Sequence, residues 1–414
     1  MSQNIKKDYI WNTIGVFAQN AISPLILIVV TRVNGIYDSG VFSFAFSLSL
    51  ILWAFGMWGG RTYQVSDVKH EFSHQSYVVV RFILGAVIIV AAVVFSLLNH
   101  YDPTKTGIIL ALVVFKVVES IADAIYGILQ VHERLYMVGK SLFYKALLGF
   151  GAFTIIDLLT HNILWGCIGI IGANLLVVVV YDRVRAHHFE RIITQLKDLK
   201  PTIQSSFQII KRCAPIALII FLTMFSLNIP RYFIDVYLPT DIGLFGIIAM
   251  PITLIALLIT FILQPNITQL SNLFDEGEYQ RFSRIVNKLI SVSMIIGLAV
   301  LILTYLIGTQ ALQLVFGIDF TTHKLALLII VAGAIVNAAV TIYINILTIM
   351  RRFKAQFYTL LLTNVVLAAV SGVVIRNYGL VGGVLLYSVV NLIQAAMLLG
   401  VYQSILVRSM IKRA

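Results

Sequence analysis

Apolar residues in this chain come in long runs, and polar residues collect in the short gaps between them. The runs are near-continuous rather than alternating, which predicts membrane-spanning helices rather than strands. Twelve spans are expected, at 9–31, 40–60, 77–98, 106–131, 141–160, 163–182, 213–237, 241–264, 287–308, 323–350, 356–375 and 379–407. At about 1.5 Å per residue, each is long enough to cross roughly 30 Å of hydrocarbon. Two gaps are longer than the rest, 183–212 and 265–286.

Composition agrees with this pattern. Of 414 residues, 59% are hydrophobic and 12% charged, about half the charged share of a soluble protein. Mean hydropathy is +0.94. An integral membrane protein is expected, and a soluble fold is excluded. No small-residue cleavage pattern follows the first run, so no signal peptide is expected. The net charge of +12 is dispersed over short loops, which argues against nucleic acid as a partner. Cys167 and Cys213 fall at opposite ends of different helices and show no metal-ligand spacing.

The basic residues set an orientation. With the N-terminus in the cytoplasm, 24 of the 30 Lys and Arg fall on the inner side and four on the outer: Arg32, Lys105, Lys324 and Arg376. The positive-inside rule then places both termini in the cytoplasm.

The chain reads as a duplication. Asp38 to Phe42 and Asp241 to Phe245 share the pattern D-x-G-x-F, and each follows an arginine, Arg32 or Arg231. Six helices per half is an even number, so the halves are parallel repeats, an arrangement that leaves a central cleft between two bundles. The expected architecture is therefore all-α, with twelve transmembrane helices in two parallel six-helix lobes around a central cavity. Residues 1–182 form the N-terminal lobe, 183–212 a cytoplasmic linker and 213–414 the C-terminal lobe. Phe189, Ile192, Ile193, Leu196 and Leu199 recur at helical spacing among basic residues in the linker. Such a segment either lies in the headgroup layer or packs on the bundle.

No phosphate loop, nucleophile elbow or paired metal-ligating histidines occur, so neither cofactor nor metal is expected. His187 and His188 read as an interfacial basic patch. The chemistry lies in ions within the spans, which are costly and mark transport paths by default. Helix four carries Lys116, Glu119 and Asp123 on one face, with Lys116 near the midplane. Late in helix seven, SLNIPRYFIDVYLP holds Arg231 one turn before Asp235, with Pro230 inviting a kink. Arg231, Lys116 and Arg32 are the candidate cations for an anionic substrate. Glu119, Asp123 and Asp235 are the candidate ion-coupling carboxylates. Asn20, Asn174, Asn228 and Asn337 are candidate hydrogen-bonding groups for sugar hydroxyls. Arg61 is accounted for by positive-inside anchoring.

Four stretches carry a family resemblance: IKKDYIWNTIGVFAQNAISPLILIVVTRVNG at the N-terminus, GGRTYQVSDVK at 59–69, DAIYGILQVHERLYMVGKSL at 123–142 and NIPRYFIDVYLP at 228–239. The chain resembles the Wzx-type polysaccharide flippases of the multidrug/oligosaccharidyl-lipid/polysaccharide (MOP) exporter superfamily. That resemblance implies movement of an undecaprenyl diphosphate-linked oligosaccharide from the cytoplasmic to the outer leaflet of the bacterial cell membrane. It implies proton or sodium coupling and contact with a polysaccharide polymerase. It also places Arg231, within the matching motif, on the lipid diphosphate.

Two other functions compete with this one. A drug or metabolite exporter of the same superfamily would share the fold. A membrane polysaccharide polymerase would be an enzyme with a large outer loop, whereas the longest outer loop here, 308–322, has Asp319 as its only charge.

Overall fold

The computed structural model describes residues 2–58, 60–67, 71–190 and 199–411, and no strand occurs among them. Contacts divide the chain into two compact units, Met1–Met224 and Phe225–Ala414. The boundary falls inside one continuous helix.

The first unit contains α1 (Ser2–Val33), α2 (Ile36–Met57), α3 (Gly60–Ser66), α4 (His74–Leu98), α5 (Pro103–Val131), α6 (Leu135–Thr160) and α7 (Ile163–Val177). A π-helical turn (Val178–Arg183), α8 (Val184–His187) and the start of α9 (Leu199–Tyr237) complete it. Asp102 caps α5 by accepting from the backbone N–H of Thr104 and Lys105, and Pro103 fills the first turn, where no N–H is needed. α1 runs along α6 at very close range. A Cβ on Gly15 would strike the backbone of Gly139, and one on Gly139 would strike the backbone of Trp11. Small residues allow this approach, which apolar helices in lipid need for van der Waals association.

At the centre of the unit, α5 packs against α2, α3, α4, α6, α7 and the π turn. Most of its residues from Ile108 to Leu129 are buried. A helix screened from lipid on all sides can carry ions, because protein groups rather than hydrocarbon surround them.

The second unit holds the rest of α9, then α10 (Ile242–Ile248), α11 (Met250–Leu263), α12 (Ile267–Asp275), α13 (Tyr279–Phe316), α14 (Lys324–Ile349) and α15 (Phe353–Ile411). Here α14 is the central helix, packed on α10, α11, α12, α13 and α15. It is 67% buried over its most apolar window, against 11% for α13. α5 and α14 are the fourth and tenth expected spans, six apart, and each is the central helix of its own unit. The two differ in chemistry: α14 carries the amides Asn337 and Asn345 along its length, where α5 carries ions.

Ten helices among the described residues are long and apolar enough to cross a membrane. The twelve expected spans differ from these at two places. α5 is missing from the ten, and its Lys116, Glu119 and Asp123 lower its apolar character. α15 counts once, although Gly379 breaks it with φ 58° and ψ −143°. That backbone region belongs to glycine, and the break lies where the last two spans were divided. α9 remains helical through Pro215 and Pro230, so the expected kink does not interrupt it. Of the linker, Ile192, Ile193 and Leu196 lie outside the described residues. Residues 199–212 form the first turns of α9. Ile209 and Cys213 of that helix are buried against Phe72, Tyr77, Val80 and Leu84.

Candidate functional site

The ions on the buried face of α5 fall into separate clusters. Lys116 Nζ lies 2.6 Å from Glu119 Oε2, one turn along. The other carboxylate oxygen, Oε1, accepts from the side-chain amide of Gln19 on α1. Three rings surround the ammonium: Phe46 at 4.9 Å, Phe115 at 4.8 Å and Trp53 at 5.7 Å to their centroids. Their faces attract a cation that burial would otherwise penalise. Two polar atoms beside this cage have no hydrogen-bond partner among the described residues: Gln19 Oε1 and Trp53 Nε1.

Asp123, one turn further on, belongs to a second cluster. Arg81 Nη2 on α4 lies 3.1 Å from its Oδ2, and Arg61 Nη1 on α3 lies 3.3 Å from its Oδ1. Arg81 is 1% exposed and also donates to the carbonyls of Gly56 and Met57 at the end of α2. The arginine therefore closes a helix C-terminus and a carboxylate together. The three ions that share a face of α5 do not form one cluster: two pair with each other, and the third is held by arginines from elsewhere.

A third cluster surrounds Tyr126. Lys145 Nζ on α6 donates to the Tyr126 hydroxyl at 2.7 Å and lies 2.7 Å from Asp182 Oδ2 on the π turn. Ser141 shares the same hydroxyl at 2.8 Å. Val118, Ile125, Val138 and Val178 pack around this group. Charge counting had placed Arg81 and Lys145 on the inner side as orienting charges, and Arg61 as an anchor. All three are in ion pairs, and Arg81 and Lys145 are buried. Asp157 on α6, also buried, accepts from the side-chain amide of Asn34 at 2.9 and 2.8 Å. No sequence signal separated it from a helix-end residue.

The second unit has a different centre. Arg231 on α9 sits over the ring of Phe245, with Cζ 5.6 Å from its centroid. Phe245 closes the second D-x-G-x-F motif, so the repeat supplies the aromatic face under this arginine. Arg231 Nε is buried without a hydrogen-bond partner, and Arg231 forms no ion pair among the described residues. Asp235 is buried one turn on. Arg32 is exposed in the last turn of α1.

The amides separate in the same way. Asn337 donates to Asn391 at 2.7 Å, and Gln394 bridges Ser226 and Thr363 at 2.8 and 2.9 Å. Asn174 is buried and donates to the Ile170 carbonyl, while Asn20 is exposed and donates to the Val16 carbonyl. Asn228 is partly buried on α9, one turn before Arg231. No group of metal ligands occurs among the described residues.

No family model matches the chain. It is 23% identical over 322 residues to the capsular polysaccharide biosynthesis protein CapF of Staphylococcus aureus, covering 77% of this chain and 80% of that protein. Among solved structures, an inward-facing MATE-family multidrug resistance transporter of the MOP superfamily aligns over 95% of this chain and 96% of its own. The TM-score is 0.69 at 14% identity. A MOP-superfamily transporter from Pyrococcus furiosus, reported to have a binding pocket of reversed polarity, aligns with TM-score 0.64 at 12% identity, over 98% and 96% of the two chains. The chain is thus a multi-pass membrane protein that shares the fold of these MATE-family transporters.

Proposed function

We propose that this protein, built on the MOP transporter fold, is a flippase for a lipid diphosphate-linked oligosaccharide used in polysaccharide synthesis. One observation carries the reading. Lys116, Arg81 and Lys145 are buried, and each has a carboxylate beside it. Arg231 has an aromatic face and no carboxylate among the described residues. A partly buried guanidinium in that state is best satisfied by an anionic ligand, and its planar fork suits phosphate oxygens. The similarity to CapF, a capsular polysaccharide biosynthesis protein, supports a role in polysaccharide synthesis, and the carrier in this reading is undecaprenyl diphosphate.

In this reading the diphosphate engages Arg231, and the sugar is met by amides of the spans. Asn228 lies closest along the helix, whereas Asn174 and Asn337 are already committed to protein partners. Transfer runs by alternating access from the cytoplasmic to the outer leaflet of the bacterial cell membrane, with both termini in the cytoplasm. A proton or sodium gradient, or consumption of the product by a polymerase, supplies the free energy. Glu119 is the leading ion-coupling residue, since Asp123 already balances two arginines.

The test is reconstitution in liposomes with a lipid-linked oligosaccharide, scoring exposure in the opposite leaflet. Arg231→Ala at normal protein level should abolish transfer. Full transfer by this variant would remove the anion reading. A drug or metabolite exporter of the same superfamily would instead leave the lipid-linked sugar unmoved and transport a soluble compound.

A further inference from the structure

The cage around Lys116 contains two unmet polar atoms of opposite kind. Trp53 Nε1 is a donor without an acceptor, and Gln19 Oε1 is an acceptor without a donor. Between them lies an ion pair that is already complete, Lys116 with Glu119. A buried donor or acceptor left unmade carries its full desolvation penalty, so both need a reason. One pair of ligands meets both needs at once, a phosphate oxygen and a proton.

We propose that Lys116, Trp53, Glu119 and Gln19 form a proton-linked phosphate subsite in the first unit, in which anion binding and protonation of Glu119 occur together. The proposal rests on the flippase reading only for the identity of its natural ligand. In the closed pair, Glu119 accepts from Lys116 and from the Gln19 amide N–H. In the loaded site, Glu119 takes one proton from solvent, and its new O–H donates to Gln19 Oε1. Lys116 keeps its own proton and turns to the phosphate oxygen, to which the Trp53 N–H also donates. Charge is conserved at the site: a carboxylate is neutralised as a phosphate negative charge arrives. Neither half is favourable alone. Protonation without the anion leaves a buried lysine unpaired, and the anion without the proton faces a carboxylate.

Among the described residues, the other charges packed against α5 have partners of their own, including His74 of α4 with Glu190. Arg61 of α3 and Arg81 of α4 are held by Asp123, and Lys145 of α6 by Asp182 of the π turn. Gln19 of α1 and Phe46 and Trp53 of α2 are uncharged, and α7 contains no charged residue. Arg185 and His187 of α8 are exposed.

The test uses the full-length protein in lipid nanodiscs, with inorganic pyrophosphate as the probe. Calorimetry in buffers of different ionisation enthalpy measures the protons taken up on binding. Wild type is compared with Glu119→Gln, which cancels the proton chemistry of pyrophosphate itself. Wild type should take up about one proton more than this variant, and over the pH range of that uptake its affinity should fall about tenfold per pH unit. Glu119→Gln should bind with neither dependence, and Trp53→Phe should weaken binding by roughly two- to tenfold. Lys116→Met alone strands a carboxylate, so Lys116→Met with Glu119→Gln serves as the variant that folds. It should lose this binding while Arg231→Ala keeps it, proton uptake included. Equal proton uptake in wild type and Glu119→Gln overturns the subsite, as does unchanged binding in the double variant or no binding by wild type. Liposome transfer is scored separately. Proton-linked binding without transfer of lipid-linked sugar keeps the subsite and removes the flippase reading. Transfer without proton-linked binding does the reverse.

Discussion

Arg81 and Asp123 stand 3.1 Å apart at the centre of the first unit, with the arginine 1% exposed and also bonded to two carbonyls at the end of α2. The pair joins α4, α5 and the end of α2 through one guanidinium. Asp123→Asn keeps the shape but strands Arg81 and loosens Arg61. Loss of one partner of a buried pair costs about 3–5 kcal/mol. The expected outcome is a lowered melting temperature in detergent and a poor yield, before any effect on coupling. A stable Asp123→Asn protein with altered ion dependence would return Asp123 to the coupling mechanism.

Lys145 and Asp182 make a second test of the same physics. Lys145→Met should destabilise strongly, because Asp182 is 0% exposed and loses its only cation among the described residues. Lys145→Met combined with Asp182→Leu should recover most of the loss, since apolar replacement of a whole buried pair is often neutral or better. Thermal melts of the two single variants and the double variant form the required cycle.

Arg212 and Glu71 form the contrasting case. Their bonds are 2.5 and 2.8 Å, but the side chains are 44% and 54% exposed. Solvent screens such a pair, so Glu71→Gln should leave the melting temperature nearly unchanged. A loss as large as that of Asp123→Asn would show that this contact matters beyond its Coulomb energy.

Gly379 divides α15 with φ 58° and ψ −143°. Gly379→Ala forces a Cβ into that conformation and should cost about 1–3 kcal/mol, or straighten the two spans into one. Cysteine accessibility on either side of residue 379 separates these outcomes from a neutral substitution.

Arg231 separates charge from shape. Arg231→Lys preserves the charge and loses the fork, so liposome transfer should fall at normal protein level, and further in Arg231→Ala. Arg231→Ala with Asp235→Ala should fold and still fail to transfer, because among the described residues Arg231 makes no ion pair that the second change could relieve. Recovered transfer in that double variant would assign Arg231 to structure.

Membrane-impermeant labelling fixes the orientation. Single cysteines at Lys105 and Gly308 should react from outside intact cells, and one at Lys140 should not. Reaction at Lys140 would invert the assignment drawn from the basic residues.

By itself the sequence determined the class of the protein. Run length against bilayer thickness set where the spans lie, and α5 is recognisable as a span although its ions reduce its apolar character. The helical period put Lys116, Glu119 and Asp123 on one face, and the D-x-G-x-F repeat marked both halves. Partners were decided only by tertiary structure. Gln19 reaches Glu119 across 100 residues, Asn34 reaches Asp157 across 123, and Arg81 reaches Asp123 across 42. Periodicity says which side of a helix a residue occupies and nothing about what that side faces. In a chain this apolar, hydrophobic patterning distinguishes lipid-facing from buried surfaces poorly. Lys145 therefore read as a charge at the membrane edge, and nothing in the pattern marked Asp157. The close α1–α6 crossing and the central position of α5 bury those groups, and burial obliges a charge to find a partner. Arg231 is the exception, an intramembrane cation legible from its position, and only the fold could reveal that among the described residues no carboxylate pairs with it.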